Sequence, residues 1–178
     1  MRDVMKILLL GGPGSGKSTV GQRLAQDMGW PWVSSGAILR ESTEPWVIER
    51  LKTAQLFDDE MVSDLVFGRL EGVENAIIDG YPRTLRQAEI IVEKGLEIDI
   101  AVEVVVPIEE SLARISLRGR EQDDSAIVEE RWNDYDKTKT EILAYLAGNG
   151  VKVLTADGVG APDEVYNRVV EMLRENWG

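Results

Sequence analysis

The sequence predicts an α/β fold, a doubly wound five-stranded parallel sheet with helices on both faces. Short, continuous apolar runs recur along the chain, which is typical of strands buried on both faces of a parallel sheet. Helical patterns alternate with these runs, and such alternation produces right-handed βαβ units. The length of 178 residues, without a long linker, fits a single domain over residues 1–178.

Five apolar runs are the candidate strands. The first, Lys6–Leu10, is apolar at every position after the lysine and ends at a glycine. A run without polar alternation predicts a strand that is covered on both sides. The other four candidate strands are residues 32–33, Ala76–Asp79, 100–106 and 151–154.

Six helices are predicted from apolar residues that recur every three or four positions. In Lys17–Met28, the side chains of Val20, Leu24 and Met28 are four apart and therefore share one face. Pro162 suits the first position of the last helix, where its missing N–H removes no hydrogen bond. The other four predicted helices are residues 60–70, 83–94, 109–117 and 125–146.

Two stretches depart from the alternation of strands and helices. Residues 34–70 carry helical patterns and no strand, and residues 118–125 form a polar turn between two helices. We interpret both as insertions on the core sheet, because functional residues tend to lie on such connecting segments.

The composition excludes several classes of site. The chain has 32 Asp and Glu against 20 Lys and Arg, a net charge of −12, and neither histidine nor cysteine. Disulfides, thiolate nucleophiles, zinc fingers and catalytic triads with histidine are therefore excluded. So acidic a chain is a poor candidate for binding nucleic acid or an anionic membrane. The first apolar run is too short for a signal peptide or a membrane span, so we expect a cytoplasmic protein. Separately, we expect a monomer.

The strongest motif is GGPGSGKST at residues 11–19, which fits the P-loop pattern G-x-x-x-x-G-K-[ST]. Its glycines let backbone N–H groups point into one concavity, and the next helix adds its positive N-terminal end. A glycine-rich turn without a ligand is disfavoured, because a candidate strand precedes the motif and a candidate helix follows it. The fold is therefore predicted to be of P-loop NTPase type. A nucleoside triphosphate is expected on Gly12, Pro13, Gly14, Ser15, Gly16, Lys17, Ser18 and Thr19.

Asp79 stands at the carboxyl end of a candidate strand, the edge where open α/β sheets bind ligands. It is placed like a Walker-B carboxylate that holds Mg²⁺ directly or through water, with Ser18 as the second candidate ligand. An aspartate that only starts the turn at Gly80 is the alternative. The P-loop nearby favours the metal site.

Arginines gather in or beside the polar segments near this edge. Guanidinium groups pair with phosphate oxygens and keep their charge at every relevant pH. Each arginine alone is better explained as a surface charge, whereas the group favours a phosphate site. An acceptor that is itself a phosphate needs no general base, and a hydroxyl acceptor would require one, for which Asp79 is the candidate. The group comprises Arg40, Arg83, Arg114, Arg118, Arg120 and Arg131.

Four segments together resemble the adenylate kinases of the nucleoside monophosphate kinase family. They are GGPGSGKST at 11–19, SSGAILR at 34–40, DGYPRTLRQA at 79–88, and RGREQDD at 118–124 with Arg131 and Tyr135. The resemblance extends from about Lys6 to the last helix. It implies a reversible, Mg²⁺-dependent phosphoryl transfer from ATP to AMP that yields two ADP.

The resemblance also implies a task for each insertion. Residues 34–70 would bind the nucleoside monophosphate, and residues 118–125 would form a minimal lid. Arg40 and Arg83 would hold the AMP phosphate, and Gln87 would read the AMP base. The AMP-binding residues that the resemblance implies are Ser35, Gly36, Arg40, Leu56, Gly80, Arg83 and Gln87.

On the donor side, the resemblance implies that ATP lies on the P-loop, with Arg114 stacked on its adenine and Arg118 beside it. The residues implied to hold the transferring phosphoryl group are Lys17, Arg83, Arg118, Arg120 and Arg131. The chain departs from the family pattern at Ala37, where the family has Asp, and at Ala54 and Asp58, where it has Gly and Pro.

Three functions stay compatible with these residues. The first is an AMP kinase, and Ser35 and Gln87 favour it because a hydroxyl and an amide can pair with an adenine edge. The second is a kinase for another acceptor, such as UMP, CMP, dAMP or a small molecule with a hydroxyl. The third is a nucleotide-binding protein of the same fold with little turnover, which the short lid and Ala37 favour.

Overall fold

The computed structural model describes residues 4–118 and 124–177, with Arg118 described by its backbone alone. The strands of these residues are β1 (Lys6–Leu10), β2 (Trp32–Ser34), β3 (Ala76–Asp79), β4 (Ile100–Val105) and β5 (Lys152–Asp157). All five run parallel in one sheet, in the order β2-β3-β1-β4-β5. The prediction of a five-stranded parallel sheet is confirmed.

Eight helices connect and follow the strands in this part of the chain. They are α1 (Lys17–Met28), α2 (Ser35–Arg40), α3 (Pro45–Leu51), α4 (Asp59–Leu70), α5 (Leu85–Glu93), α6 (Ile108–Arg118), α7 (Ser125–Gly148) and α8 (Pro162–Asn176). Among the helices described, none combines the length and the apolar character needed to cross a membrane.

Each face of the sheet has its own hydrophobic core. Along β1, Ile7 and Leu9 pack with α1 and α8, whereas Leu8 and Leu10 pack on the other face with α5 and α7. Because successive strand residues point to opposite faces, a strand covered on both sides must be apolar at every position. This double burial explains the continuous apolar runs, and helices on both faces confirm the doubly wound architecture.

The sheet register brings the candidate site residues to one edge. β1 lies between β3 and β4, with Leu9 opposite Asp79 on one side and Val102 on the other. β2 ends with Ser34 opposite Asp79. The segments that follow β1, β2 and β3 therefore meet at the same carboxyl edge.

Helix α5 begins at Leu85, two residues later than predicted. The hydroxyl of Thr84 accepts a hydrogen bond from the backbone N–H of Gln87 (3.1 Å) and caps the helix there. Arg83 thus precedes the helix, and its backbone is not held by the helical ladder.

Strand β5 ends at Asp157, three residues beyond its predicted end. Its backbone continues to pair with β4 until Asp157 lies opposite Val105. The extra residues include Thr155 and Asp157. Their polar side chains interrupt the apolar run, so the pattern of apolar residues does not predict this part of the strand.

The insertion at residues 34–70 is helical, as predicted, and contains α2, α3 and α4. Asp58 caps α4 by accepting a hydrogen bond from the backbone N–H of Met61 (2.9 Å). Of the predicted lid at residues 118–125, residues 119–123 lie outside the described residues, and Arg120 is among them.

Candidate active site

The P-loop connects the end of β1 to the start of α1 through backbone conformations that require glycine. Gly14 and Gly16 have φ of 72° and 88°, values that favour glycine. A β-carbon on Gly14 would lie only 2.6 Å from the carbonyl oxygen of Ser111. Gly16, the N-cap residue of α1, has no side chain with which to cap the helix. A backbone of this kind is suited to an anion.

Lys17 extends from the first position of α1 across the loop. Its Nζ is 3.4 Å from the carbonyl oxygen of Gly12. Its Cε lies 3.8 Å from where a β-carbon on Gly80 would be. The side chain of Lys17 therefore lies between the P-loop and the end of β3, and its ammonium group can reach anions on either side.

Asp79 ends β3 with an unusual carboxylate. The residue is 1 % exposed, and its Oδ1 has no hydrogen-bond partner among the described residues. An unpaired buried carboxylate oxygen is costly unless a cation or a water molecule reaches it. Hard oxygen ligands of this kind suit Mg²⁺, so the residues present fit the metal that the motif predicts.

Two guanidinium groups lie next to a glycine, where no side chain occupies the space. A β-carbon on Gly36 would lie 3.1 Å from Arg40 Nη1 and 3.4 Å from Arg83 Nη2. Gly80 borders the same space, since a β-carbon there would lie 3.4 Å from Arg83 Nη2 and 3.5 Å from Ser35 Oγ. Two cations that converge where side chains are missing form a pocket for an anion such as phosphate.

Contacts to its own segment hold Arg83 in this pocket. Its Nε donates to the carbonyl oxygen of Gly80 (2.9 Å), and Ser35 Oγ donates to the same oxygen (2.7 Å). Desolvation by the surrounding protein lowers the pKa of the Arg83 guanidinium, and the carboxylate of Asp79 opposes this shift. An arginine keeps its charge despite such a shift, so the pocket remains cationic.

Gln87 is buried and bonded to neighbouring groups of the protein. The residue is 2 % exposed, and its Oε1 accepts a hydrogen bond from the backbone N–H of Arg83 (2.7 Å). Its Nε2 donates to Asp59 Oδ1 (2.9 Å). Gln87 and Arg83 thus bond to each other, and the reading of a base by Gln87 stays a prediction.

Leu56 is exposed on the loop before α4, and its carbonyl oxygen accepts hydrogen bonds from Arg50.

Arg114 joins the P-loop to the loop after β5. Its Nη2 donates to the carbonyl oxygen of Gly158 (2.9 Å), and its Nη1 lies 3.4 Å from that of Ser15. Glu110 accepts from its Nε (2.8 Å) and fixes the plane of the guanidinium. This position beside the P-loop fits the predicted contact with a donor nucleotide.

Arg131 contacts the insertion at residues 34–70. Its Nη2 donates to the carbonyl oxygen of Leu51 (2.8 Å) and also to that of Thr53. The sequence predicts that Arg131 holds a transferring phosphoryl group, and these contacts join α7 to the turn after α3 instead. Its role at the phosphates stays a prediction.

Two aromatic residues of α7 cover the start of the P-loop. A β-carbon on Gly12 would lie 3.1 Å from Trp132 and 3.5 Å from Tyr135. The hydroxyl of Tyr135 donates to Glu103 (3.0 Å), and burial raises the pKa of this tyrosine. Trp132 and Glu103 are not predicted as site residues from the sequence, where their only signals are one apolar position on a helix and one acidic residue inside an apolar strand.

Comparison with known proteins points to one family. A family model described as Adenylate kinase matches residues 9–151. The chain is similar to a protein named Adenylate kinase from Mycobacterium leprae strain Br4923, at 34% identity over 95% of this chain and 99% of the relative. Proteins of the same name from Thermus thermophilus (36%; 92% and 94% covered) and Mesorhizobium japonicum (33%; 95% and 96%) are similar too. The matched region contains the P-loop, the insertion and the segment from Asp79 to Gln87.

Proposed function

This chain belongs to the adenylate kinase family, and we propose that the cations at its sheet edge hold the phosphates of ATP and AMP end to end. The chain is a nucleoside monophosphate kinase that transfers a phosphoryl group reversibly from ATP to AMP, giving two ADP. The residue assignments rest on one observation. The cationic side chains of Lys17, Arg40 and Arg83 lie around the backbone of Gly36 and Gly80, where no side chain fills the space.

On the donor side, we propose that residues 12–19 bind ATP. The backbone N–H groups of the loop and the N-terminus of α1 would receive its phosphates, and Lys17 would lie against the γ-phosphate. Arg114, fixed by Glu110 beside Ser15, would stack on the adenine. The predicted contributions of Arg118 and Arg120 to this site are proposals from the sequence alone.

Asp79 and Ser18 are the proposed residues for Mg²⁺. The unpartnered, buried Oδ1 of Asp79 supports this assignment. Ser18 lies in the first turn of α1 and adds a hydroxyl from the P-loop side. When bound, Mg²⁺ would supply positive charge that offsets the negative charge of the phosphates. Asp79 would hold it through its carboxylate and Ser18 through its hydroxyl.

On the acceptor side, we propose that the AMP phosphate lies between Arg40 and Arg83. An oxygen of this phosphate would attack the γ-phosphorus as the bond to the ADP oxygen breaks, so no proton has to be removed first. Fixed cations would offset the repulsion between the two anions. The other residues proposed to line the acceptor are Ser35, Gly36, Leu56, Gly80 and Gln87.

We also propose a role for each of the two insertions. Residues 34–70 would close over AMP and residues 118–125 would act as a minimal lid over ATP, within a single kinase domain. The contact of Arg131 with Leu51 and Thr53 supports a mechanical link between α7 and the first of these insertions. We expect the chain to work as a monomer in the cytoplasm.

The choice of acceptor is tested with a panel of nucleoside monophosphates in a coupled assay of ADP formation. We expect AMP to be preferred over UMP, CMP and dAMP, and two ADP to form for each ATP consumed. A higher kcat/KM for a pyrimidine acceptor would assign the site to another monophosphate. Tight ATP binding with negligible transfer to every acceptor would indicate a nucleotide-binding protein.

A further inference from the structure

The side chains of Asp59, Thr84 and Gln87 form a network of hydrogen bonds next to Arg83, and Asp59 is far from the other two in the sequence. Asp59, the first residue of α4, accepts from Gln87 Nε2 and from Thr84 Oγ1, both at 2.9 Å through its Oδ1. Gln87 Oε1 then accepts from the backbone N–H of Arg83 (2.7 Å). A carboxylate on the insertion is thereby connected to the main chain of Arg83.

The carboxylate determines which way the Gln87 amide points. A carboxylate only accepts hydrogen bonds, so the NH₂ end of the amide must face Asp59. The oxygen end then faces the N–H of Arg83. Without Asp59, Gln87 Nε2 would lose its acceptor, and the amide would be held only at its oxygen end, by the N–H of Arg83. Because Gln87 is 2 % exposed, water cannot readily replace the lost partner.

The orientation of Arg83 matters because its guanidinium lies in a narrow space beside Gly36 and Gly80. Its Nη2 lies 3.4 Å from where β-carbons on Gly36 and Gly80 would be, and its Nε is bound to the carbonyl oxygen of Gly80. Arg83 precedes the cap of α5, so Gln87 Oε1 supplies a constraint on its backbone that the helix does not.

We propose that Asp59 is a positioning residue that, through Gln87, fixes Arg83 in the orientation that binds the acceptor's phosphate. The inference rests on the proposed role of Arg83 in the acceptor site. It assigns the effect of Asp59 mainly to the phosphate end of AMP, so the binding of a phosphate without a base should be affected more than the binding of adenosine.

The test compares Asp59→Ala and Asp59→Asn with the unchanged protein, using AMP, ribose 5-phosphate and adenosine. We expect Asp59→Ala to raise the KM for AMP about tenfold, the loss typical of one hydrogen bond in a charged network. The inhibition constant of ribose 5-phosphate should rise by the same factor, whereas the inhibition constant of adenosine should rise less and the KM for ATP should not change. Asp59→Asn should restore the parent values for AMP and ribose 5-phosphate, because its amide oxygen still accepts from Gln87 and Thr84.

Ser63→Ala is the matched control. Ser63 Oγ donates to the carbonyl oxygen of Asp59 (2.6 Å) and accepts from the Tyr81 hydroxyl (2.8 Å), so it belongs to the same network without touching the carboxylate. This variant should lower the melting temperature and leave the KM for AMP unchanged. If Asp59→Ala yields no folded protein, Asp59→Ser replaces it under the same expectations, since its hydroxyl is too short to reach both donors.

Two results would overturn the inference. One is an unchanged KM for AMP in Asp59→Ala, with transfer to AMP intact in the parent protein. The other is a loss of adenosine binding as large as the loss of ribose 5-phosphate binding, because that would assign Asp59 to the base. A parent protein that does not use AMP at all would instead remove the proposed function itself.

Discussion

Lys17→Ala is expected to lower the kcat for ADP formation from ATP and AMP by about a thousandfold or more, as for removal of a fixed cation or donor at a phosphoryl centre. Lys17 extends between Gly12 and Gly80, where donor and acceptor phosphates are proposed to meet. The residue is only half-buried and belongs to neither hydrophobic core. The measurements are kcat in the coupled assay and the melting temperature, which should stay close to that of the parent.

Lys94→Ala provides the control for a lost lysine. Lys94 pairs with Asp64 at 2.6 Å on the exposed surface of α4 and α5, away from the P-loop. Its kcat should match that of the parent, because a solvent-exposed ion pair contributes little. A loss of less than about tenfold in Lys17→Ala would contradict the proposed contact with the transferring group.

Arg83→Ala is expected to lower kcat/KM for AMP by about a hundredfold or more, the effect of removing a charge-assisted phosphate contact. Among the described residues, Arg83 and Arg40 are the guanidinium groups beside Gly36, and removing Arg83 leaves one of the two to bind the phosphate. The affinity for ATP should not change, since the P-loop and Arg114 are untouched. Steady-state kinetics with each substrate varied in turn separates the two effects.

Arg86→Ala is the matched control for this prediction. Arg86 lies three residues further on and pairs with Glu60, Glu89 and Glu93 on the exposed side of α5. Its removal should leave AMP kinetics unchanged and cost little stability, because these ion pairs are solvated. Equal effects of Arg83→Ala and Arg86→Ala on AMP use would show that the acceptor assignment is wrong.

Much of the fold could be predicted because its signals are local. The run Lys6–Leu10 indicates burial on both faces through four consecutive apolar residues, and the P-loop indicates its turn through Gly14 and Gly16. The predicted end of strand β5 comes three residues too early, because pairing with β4 and not side-chain polarity extends the strand to Asp157. Backbone pairing with a distant strand has no signature in the letters of the strand itself.

The sequence predicts which residues belong to the candidate site, but it does not predict which of them contact each other. The resemblance places Arg83 and Gln87 at one ligand, but nothing in the sequence indicates the cap at Thr84 or the bond from Arg83 Nε to the carbonyl oxygen of Gly80. Asp59 directly precedes the predicted helix 60–70, and nothing local pairs it with a residue 28 positions away. Such contacts depend on how α4 packs against α5, which the linear pattern does not specify.

The most direct test of the central claim is a structure with two adenosines linked by a chain of phosphates. We predict that the phosphates will lie between the P-loop and Gly36, with Lys17 near the middle and Arg40 and Arg83 on the acceptor end. A bound analogue with Arg40 and Arg83 turned to the outer surface, and its phosphates remote from Lys17, would contradict the account.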